Sequence, residues 1–313
     1  MVNALITLLI FCTPAPLLAA NLQLRVLTYN IWGLPSPKAH ATWRYGEIAK
    51  RLGAYDVIAF EEAWSSNTDV VWQIPTHPYH AFGGQVHGMG GASGLILASK
   101  YPIVESHFLG FTICAGWECL AKKGVLMTRI QISPGLQVDF YMTHLNAWDE
   151  HELIRSSQIM ELVGMINDYS LDNPIVIMGD LNAGFRSNNY WELLGGVGAL
   201  RDSYLDYVST LHSPTQEQVD GYSFDVVKNP WAATELSEEK TPQRLDYIFY
   251  RDSAVARLRV RESKLVFTEP VQGNKPLSDH YGLTTVFDVS RPLRLDRTVI
   301  ERDSRTREQL AVD

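Results

Sequence analysis

Apolar residues in this chain gather into short runs: LRVLTY from Leu24, VIAF from Val57, GLILAS from Gly94, GVLMTRIQI from Gly124, VDFYMT from Val138, IVIMG from Ile175, LDYIFY from Leu245 and GLTTVF from Gly282. Runs of this length, rich in β-branched and aromatic residues, read as buried strands. Helical periodicity fits Trp43 to Leu52. It fits His151 to Ile166 better still, because Ile154, Ile159, Leu162, Val163 and Ile166 form one apolar stripe there. Several strands follow one another with few helices between them, which predicts α/β layers with substantial antiparallel pairing. The Gly-rich stretch from Gly83 to Gly94 predicts a loop entering a strand. It lacks the G-K-[ST] ending of a phosphate-cradling loop.

Composition narrows the class. With 313 residues, 46% hydrophobic and 20% charged, the chain can bury a sizeable core, which excludes disorder, collagen-like repeats and coiled coil. No internal repeat or linker interrupts it, so one domain over residues 21–290 is expected. Residues 1–20, MVNALITLLIFCTPAPLLAA, carry no charge and combine a short apolar run with Pro14, Pro16 and small residues. This reads as an export signal and sets the expected location as secreted or periplasmic. The run from Ala4 to Cys12 is too short to span a bilayer. The segment 291–313, with six Arg against five acids and few large apolar residues, is expected to be a polar, flexible tail.

The formal charge is −8, and the balanced tail leaves −9 on residues 21–290. Affinity for a phosphate backbone is supplied mostly by Lys and Arg, so no stable nucleic-acid partner is expected. Once Cys12 leaves with the signal, only Cys114 and Cys119 remain, in C-A-G-W-E-C. In an exported protein that spacing favours a local disulfide, since zinc would need two further ligands.

Candidate chemistry lies at the strand ends. Asn30 follows the first run, Glu62 the second, His144 the fifth and Asp180 the sixth, while Asp279 and His280 immediately precede the last. Ligand sites in α/β sheets lie outside the carboxyl ends of strands, and an antiparallel strand starts at that same edge. Six polar groups would therefore face one crevice. The hard oxygens of Asn30, Glu62, Asp180, Asn182 and Asp279 suit Mg²⁺ or a related divalent ion such as Mn²⁺ or Co²⁺. His144 and His280 suit acid–base work or phosphate stabilisation, and Asp246 is the carboxylate placed to fix a histidine tautomer. No G-x-S-x-G elbow occurs. A metal with His and Asp and no protein nucleophile points to water attacking phosphorus.

The motifs T-Y-N-I-W (Thr28 to Trp32), A-F-E-E-A-W (Ala59 to Trp64), T-H-L-N-A (Thr143 to Ala147), G-D-L-N-A (Gly179 to Ala183), L-D-Y-I-F (Leu245 to Phe249) and S-D-H (Ser278 to His280) occur in one order along the chain. In these the sequence resembles the endonuclease/exonuclease/phosphatase superfamily. The resemblance implies a four-layer α/β sandwich of the DNase I type, with two packed mixed β-sheets flanked by helices. It implies Glu62 as principal metal ligand with Asn30 beside it, and Asp279 as a second metal-site ligand or a histidine partner. By the same resemblance Asp180 and Asn182 hold the attacking water and the phosphate, His280 is the general base, and Asp246 orients it. His144 would stabilise the phosphoryl oxygens or assist the leaving group. Glu61 departs from the family, where Gln is frequent, and is expected to face solvent.

Within the superfamily, K-K-G-V-L-M-T (Lys122 to Thr128), the preceding cysteine pair, Y-S-F-D with a following N-P (Tyr222 to Pro230) and P-Q-R-L-D-Y-I-F (Pro242 to Phe249) resemble the secreted bacterial sphingomyelinases and related phospholipase C toxins. The implied activity is Mg²⁺-dependent hydrolysis of a phospholipid at a membrane or micelle surface by a monomer. A secreted nuclease and a catalytically silent module of the same fold are the alternatives. Those toxins carry a docking hairpin between L-D-Y-I-F and S-D-H, whereas here that interval offers only Phe267 as an apolar wedge. Trp32, Trp64 and Trp148 each lie two residues beyond a motif residue and are expected to rim the cleft, against a choline headgroup or lipid.

Overall fold

Each of the eight apolar runs coincides with a β-strand in the computed structural model, which describes residues 22–35, 41–88, 90–233 and 241–291. The expected export segment and residues 292–313 of the expected tail lie outside the described residues. In chain order the strands are β1 (Leu22–Asn30), β2 (Val57–Glu61), β3 (Tyr79–Gly84), β4 (Ala92–Ser99), β5 (Ile103–Gly110), β6 (Gly124–Ser133), β7 (Leu136–His144), β8 (Ile175–Asp180), β9 (Arg201–Asp202), β10 (Asp246–Arg251), β11 (Arg257–Val266) and β12 (Gly282–Ser290). The helices are α1 (Trp43–Ala49), α2 (Asp69–Trp72), α3 (Glu152–Tyr169), α4 (Asn188–Val197), α5 (Ser203–Val208) and α6 (Gln216–Asp220). The two periodic segments become α1 and α3. The Gly-rich stretch is partly strand, since Gly83 and Gly84 end β3 and Gly94 lies within β4.

Two six-stranded sheets result, in the orders β11-β12-β1-β2-β4-β3 and β5-β6-β7-β8-β10-β9. Both are mixed. Each contains one parallel pair, β1 with β2 and β7 with β8, and the remaining pairs are antiparallel. Parallel neighbours need a crossover, and α1 and α3 supply the two. The strands that carry no apolar run are β3, β5, β9 and β11, and these are the four sheet edges. An edge strand buries only part of its surface, so its sequence need not be continuously apolar: β5 reads as alternately half-buried and exposed, whereas β4 is buried throughout.

Because the central strands are buried on both faces, their side chains divide between two environments. Leu24, Val26, Leu97, Phe140, Met142, Val176, Ile248 and Phe287 fill the space between the sheets. The alternate residues Tyr141, Ile175, Ile177 and Phe249 pack outward against Ile159, Leu162 and Ile166 of α3 and Leu193 of α4. On the opposite outer face Leu27, Tyr29, Ile58 and Phe60 pack against Tyr45 and Ile48 of α1. Each such side chain removed from water contributes roughly 1.5–3 kcal/mol. The layers are helix, sheet, sheet, helix, as the motif resemblance implied.

Register fixes where chemistry can occur. Asn30 lies opposite Glu61, His144 opposite Asp180, and Asp180 opposite Asp246. Leu283 pairs with Thr28, so Asp279 and His280 enter β12 at that same end.

Candidate active site

The strand ends converge into one hydrogen-bonded cluster. Asn30 Nδ2 donates to Glu62 Oε1 at 3.2 Å and to Asp180 Oδ2 at 3.1 Å, which joins β1, the turn after β2 and β8. His280 Nδ1 lies 2.8 Å from Asp246 Oδ2, and both groups are buried. Asp180 Oδ2 stands 3.6 Å from His280 Nε2 and 3.6 Å from His144 Nε2. The Asn182 N–H donates to Asp180 Oδ1 at 2.9 Å, and its side-chain amide donates to the Leu145 carbonyl at 3.0 Å. Ligand atoms of Asp180, Asp246 and His280 all lie within 4.8 Å of one another.

Local backbone aims these groups. Glu62 has φ 60° and Asn182 φ 47°, left-handed conformations that turn each side chain into the crevice immediately past its strand. Gly179, at φ 143°, has no room for a Cβ, which would stand 1.9 Å from the Thr143 carbonyl oxygen. That contact brings β7 and β8 together one residue before His144 and Asp180.

Desolvation sets the electrostatics. Burial, with Asp279 nearby, pushes the Glu62 carboxyl up to about 8, and burial pushes Asp180 up to about 6. Asp279, half-buried, is raised by the same cause. Burial alone would lower His280, but the Asp246 and Asp180 carboxylates outweigh it and hold this imidazole well above the usual histidine range. His144 is moved the other way, by burial and by the charges of Lys123 and His280.

These residues fit a divalent cation. Four acidic side chains, Glu62, Asp180, Asp246 and Asp279, crowd one crevice. Glu62 Oε2 and Asp246 Oδ1 are buried without a hydrogen-bond partner among the described residues, and unpaired buried oxygens are costly unless an ion or proton serves them. Hard oxygens favour Mg²⁺ or Mn²⁺ over softer metals.

Four supporting residues escaped sequence analysis. Arg44, fully buried in α1, donates to the carbonyls of Ile31 and Leu277 and so ties the end of β1 to the loop before Asp279. Asn229 Nδ2 donates to the carbonyls of Ser278 and Asp279, both at 2.9 Å. Ser223 Oγ accepts the N–H groups of Leu245 and Asp246 at 3.0 Å, and Ser278 Oγ donates to the Asn30 carbonyl at 2.7 Å. Arg44 was legible as a charge between the apolar Trp43, Tyr45 and Ile48. Ser223 and Asn229 lie in the Tyr222 to Pro230 motif without any pattern to reveal their targets.

Three expectations require correction. Glu61 does not face solvent: it is fully buried, its Oε1 accepts the Thr28 hydroxyl at 2.8 Å, and burial with Asp246 beside it raises its carboxyl well above the ordinary range. As the last residue of β2 it shares the face of Val57 and Ala59, between the two sheets, whereas the positive φ of the next residue swings Glu62 into the crevice. Of the three tryptophans expected at the rim, Trp148 alone is exposed, at 36%. Trp64 is buried under Gly94, with Nε1 donating to the Ala92 carbonyl, and Trp32 is buried against Arg44 and Trp231. Phe267 is no exposed wedge either, because it packs on Tyr29 and Tyr55. Cys114 and Cys119 are joined as a disulfide, in agreement with the spacing argument.

Comparison with known proteins follows the same lines. Residues 27–280 match the sequence profile of the Endonuclease/Exonuclease/phosphatase family. A Drosophila melanogaster protein named for neutral sphingomyelinase is 28% identical over 278 residues, covering 83% of this chain and 59% of its own length. The chain therefore spans less than two thirds of that relative. Beta toxin from Staphylococcus aureus superposes with a TM-score of 0.65 at 22% identity, over 84% of this chain and 99% of its own. TDP2 from D. rerio, solved with a single-strand DNA product, gives 0.68 at 18% identity, over 85% and 98% of the two chains. Both structural likenesses are likenesses of fold.

Proposed function

The chain belongs to the endonuclease/exonuclease/phosphatase family, and we propose that it is an exported, Mg²⁺-dependent phosphodiesterase of the sphingomyelinase kind, which releases a phosphorylated headgroup by attack of water. One observation carries this reading: the His280–Asp246 pair at 2.8 Å faces Asp180, with Glu62 and Asn30 on its far side. A base, its orienting carboxylate and an acidic cation site thus meet where the strand ends of the two sheets come together.

Asn30, Glu62 and Asp279, with Asp180 adjoining, would hold the divalent ion. When bound, it offsets the crowded carboxylates and the charge that develops on the phosphoryl oxygens. His280 keeps its proton only while the carboxylates around it are unneutralised; it would act in its neutral form once a bound cation offsets them, with Nε2 accepting a proton from the attacking water. Asp246 keeps the opposite ring nitrogen protonated and stabilises the imidazolium that forms, which makes it a positioning residue. Asp180 and Asn182, rigid through their own hydrogen bonds, orient the water and the phosphate. His144, neutral because burial and Lys123 disfavour its charge, serves the phosphoryl oxygens or the departing alkoxide. The water oxygen bonds to phosphorus, the ester P–O bond breaks, the departing alkoxide takes a proton from solvent, and His280 releases to solvent the proton it accepted, so that no net proton is held. Choline recognition needs no basic surface, which suits an acidic chain.

The test is phosphocholine release from sphingomyelin in mixed micelles with Mg²⁺, abolished by chelation and restored by added metal, with little cleavage of plasmid DNA under the same conditions. Rapid plasmid nicking without phosphocholine release would replace the lipid reading with a nuclease. Absence of hydrolysis even of bis(p-nitrophenyl) phosphate would leave a silent module. Export is tested separately by N-terminal sequencing of protein recovered outside the cytoplasm. Asn21 is the expected first residue, and uncleaved protein confined to the cytoplasm would remove that part of the reading.

A further inference from the structure

We propose that the disulfide-closed turn at Cys114–Cys119, with Trp148 and Leu153 beside it, is a docking face for a zwitterionic, choline-headed bilayer. This rests on the sphingomyelinase reading and adds where the membrane sits. Four large apolar side chains are displayed here: Trp117 and Leu153, each 81% exposed, Leu120 at 55% and Trp148 at 36%. Large apolar residues grouped at one place mark a binding surface more often than scattered ones do.

The grouping follows from hydrogen bonds between their segments. Trp117 and Leu120 share the 3₁₀ turn Gly116–Leu120, Trp148 caps the turn Asp149–His151, and Leu153 lies in the first turn of α3. The Ala115 N–H donates to Asn146 Oδ1 at 2.9 Å, and the Ala147 N–H to Glu118 Oε2 at 3.1 Å. Asn146 Nδ2 meets His151 Nδ1 at 3.1 Å, and Gln158 Nε2 of α3 donates to the Ile113 carbonyl at 3.1 Å. Lys123 pairs with Glu118 and donates to the Leu145 carbonyl. Leu145 and Asn146 directly follow His144, so this face borders the crevice. The disulfide and the Lys123–Glu118 pair hold the turn in place before any lipid arrives, which lowers the ordering cost of binding. A cavity of about 410 Å³ lies against the disulfide, with Phe108, Phe111, Ile113 and Ala121 on its apolar side and Glu118, Lys122 and Lys123 on its polar side.

Charge selects the kind of bilayer. Asp149 and Glu150 are exposed between Trp148 and Leu153, and the whole chain carries −8. Acids there complement the outward quaternary ammonium of choline lipids and are repelled by anionic headgroups, while indole rings favour the interfacial region.

The experiment measures co-sedimentation of the full chain with vesicles of phosphatidylcholine and sphingomyelin in chelator, so that no turnover occurs, for wild type and Trp117→Ala/Leu120→Ala. The double variant is expected to bind at least about tenfold more weakly and to hydrolyse vesicle sphingomyelin correspondingly more slowly. Its hydrolysis of soluble bis(p-nitrophenyl) phosphate with Mg²⁺ should stay within about twofold of wild type, because both side chains lie outside the catalytic cluster and are exposed. Unchanged vesicle binding by the variant, no vesicle binding by the wild type, or tighter binding to phosphatidylglycerol vesicles would each overturn the proposal. Absence of phosphocholine release from micelles is a different result, and it removes the sphingomyelinase reading instead.

Discussion

His280 and His144 approach the same oxygen of Asp180 to 3.6 Å, yet their surroundings drive them to opposite protonation states. Asp246 accounts for the difference, since only His280 has a carboxylate at hydrogen-bond distance behind its ring. His280→Ala is therefore expected to lower the hydrolytic rate by about 10²–10⁴ without rescue by excess metal, and Asp246→Asn to cause a smaller loss. Steady-state rates across a Mg²⁺ titration check both, and near-normal activity of His280→Ala would reassign the base. Glu62→Gln should behave differently, with weakened Mg²⁺ affinity and partial recovery at high Mg²⁺. Glu61 supplies a stability test. Burial keeps its carboxyl protonated well above the ordinary range while Oε1 accepts the Thr28 hydroxyl, so Gln imitates the native form and can never acquire the disfavoured charge. Glu61→Gln is expected to raise the Tm at alkaline pH by a few degrees, and a fall in Tm would show that the buried carboxylate is instead stabilised in place.

At the scale of elements, the site depends on how closely two parallel strands approach. A Cβ on Gly179 would meet the Thr143 carbonyl oxygen at 1.9 Å, so Gly179→Ala must separate the ends of β7 and β8, and with them His144 from Asp180. The expected result is a loss of activity exceeding about 10²-fold, since small misplacements of reacting groups are that costly, accompanied by a lower Tm. Activity near wild type would mean that the sheet absorbs the shift elsewhere. The Cys114–Cys119 bond closes a short loop, for which chain-entropy reasoning gives about 2 kcal/mol. Its larger effect should be local. Reduction is expected to lower Tm by a few degrees while weakening vesicle binding, and alkylation of both thiols without prior reduction would contradict the bond.

For the molecule as a whole, the raised carboxyls make folding pH-dependent in one direction. Glu62, held at about 8 against an ordinary 4.5, and Asp180, at about 6 against 3.8, keep protons in the native state that the unfolded chain has already released. Stability therefore falls as pH rises through that window. His280 adds the same sign, because the stability contributed by a raised histidine is full below its unfolded value and is lost as pH climbs through the folded one. Below pH 6.5 the lowered His144 and His77 add the opposite sign, so metal-free protein is expected to lose several degrees of Tm between pH 6.5 and pH 8, and saturating Mg²⁺ should flatten the slope by replacing those protons; a Tm that rises over this range would refute the argument. Legibility in the sequence follows burial. Strands buried on both faces must be apolar throughout, so the eight central strands, the two crossover helices and the polar residues at their ends could be read directly, and the motif order supplied the layers. The four edge strands could not be read, because a half-exposed strand is under no such demand. The facing of Glu61 and Glu62 was likewise out of reach, since a left-handed φ at the second of two identical residues decides which enters the crevice. Trp32 and Trp64 carry the same sequence signal as Trp148, but only packing against Arg44, Trp231 and Gly94 determines that two are covered and one is not. Sequence by itself determined which chemistry lies at the ends of the central strands, because alternation and strand polarity are local properties of the chain. The tertiary structure alone decided which side chains remain open to a substrate, because exposure depends on contacts between segments far apart in sequence.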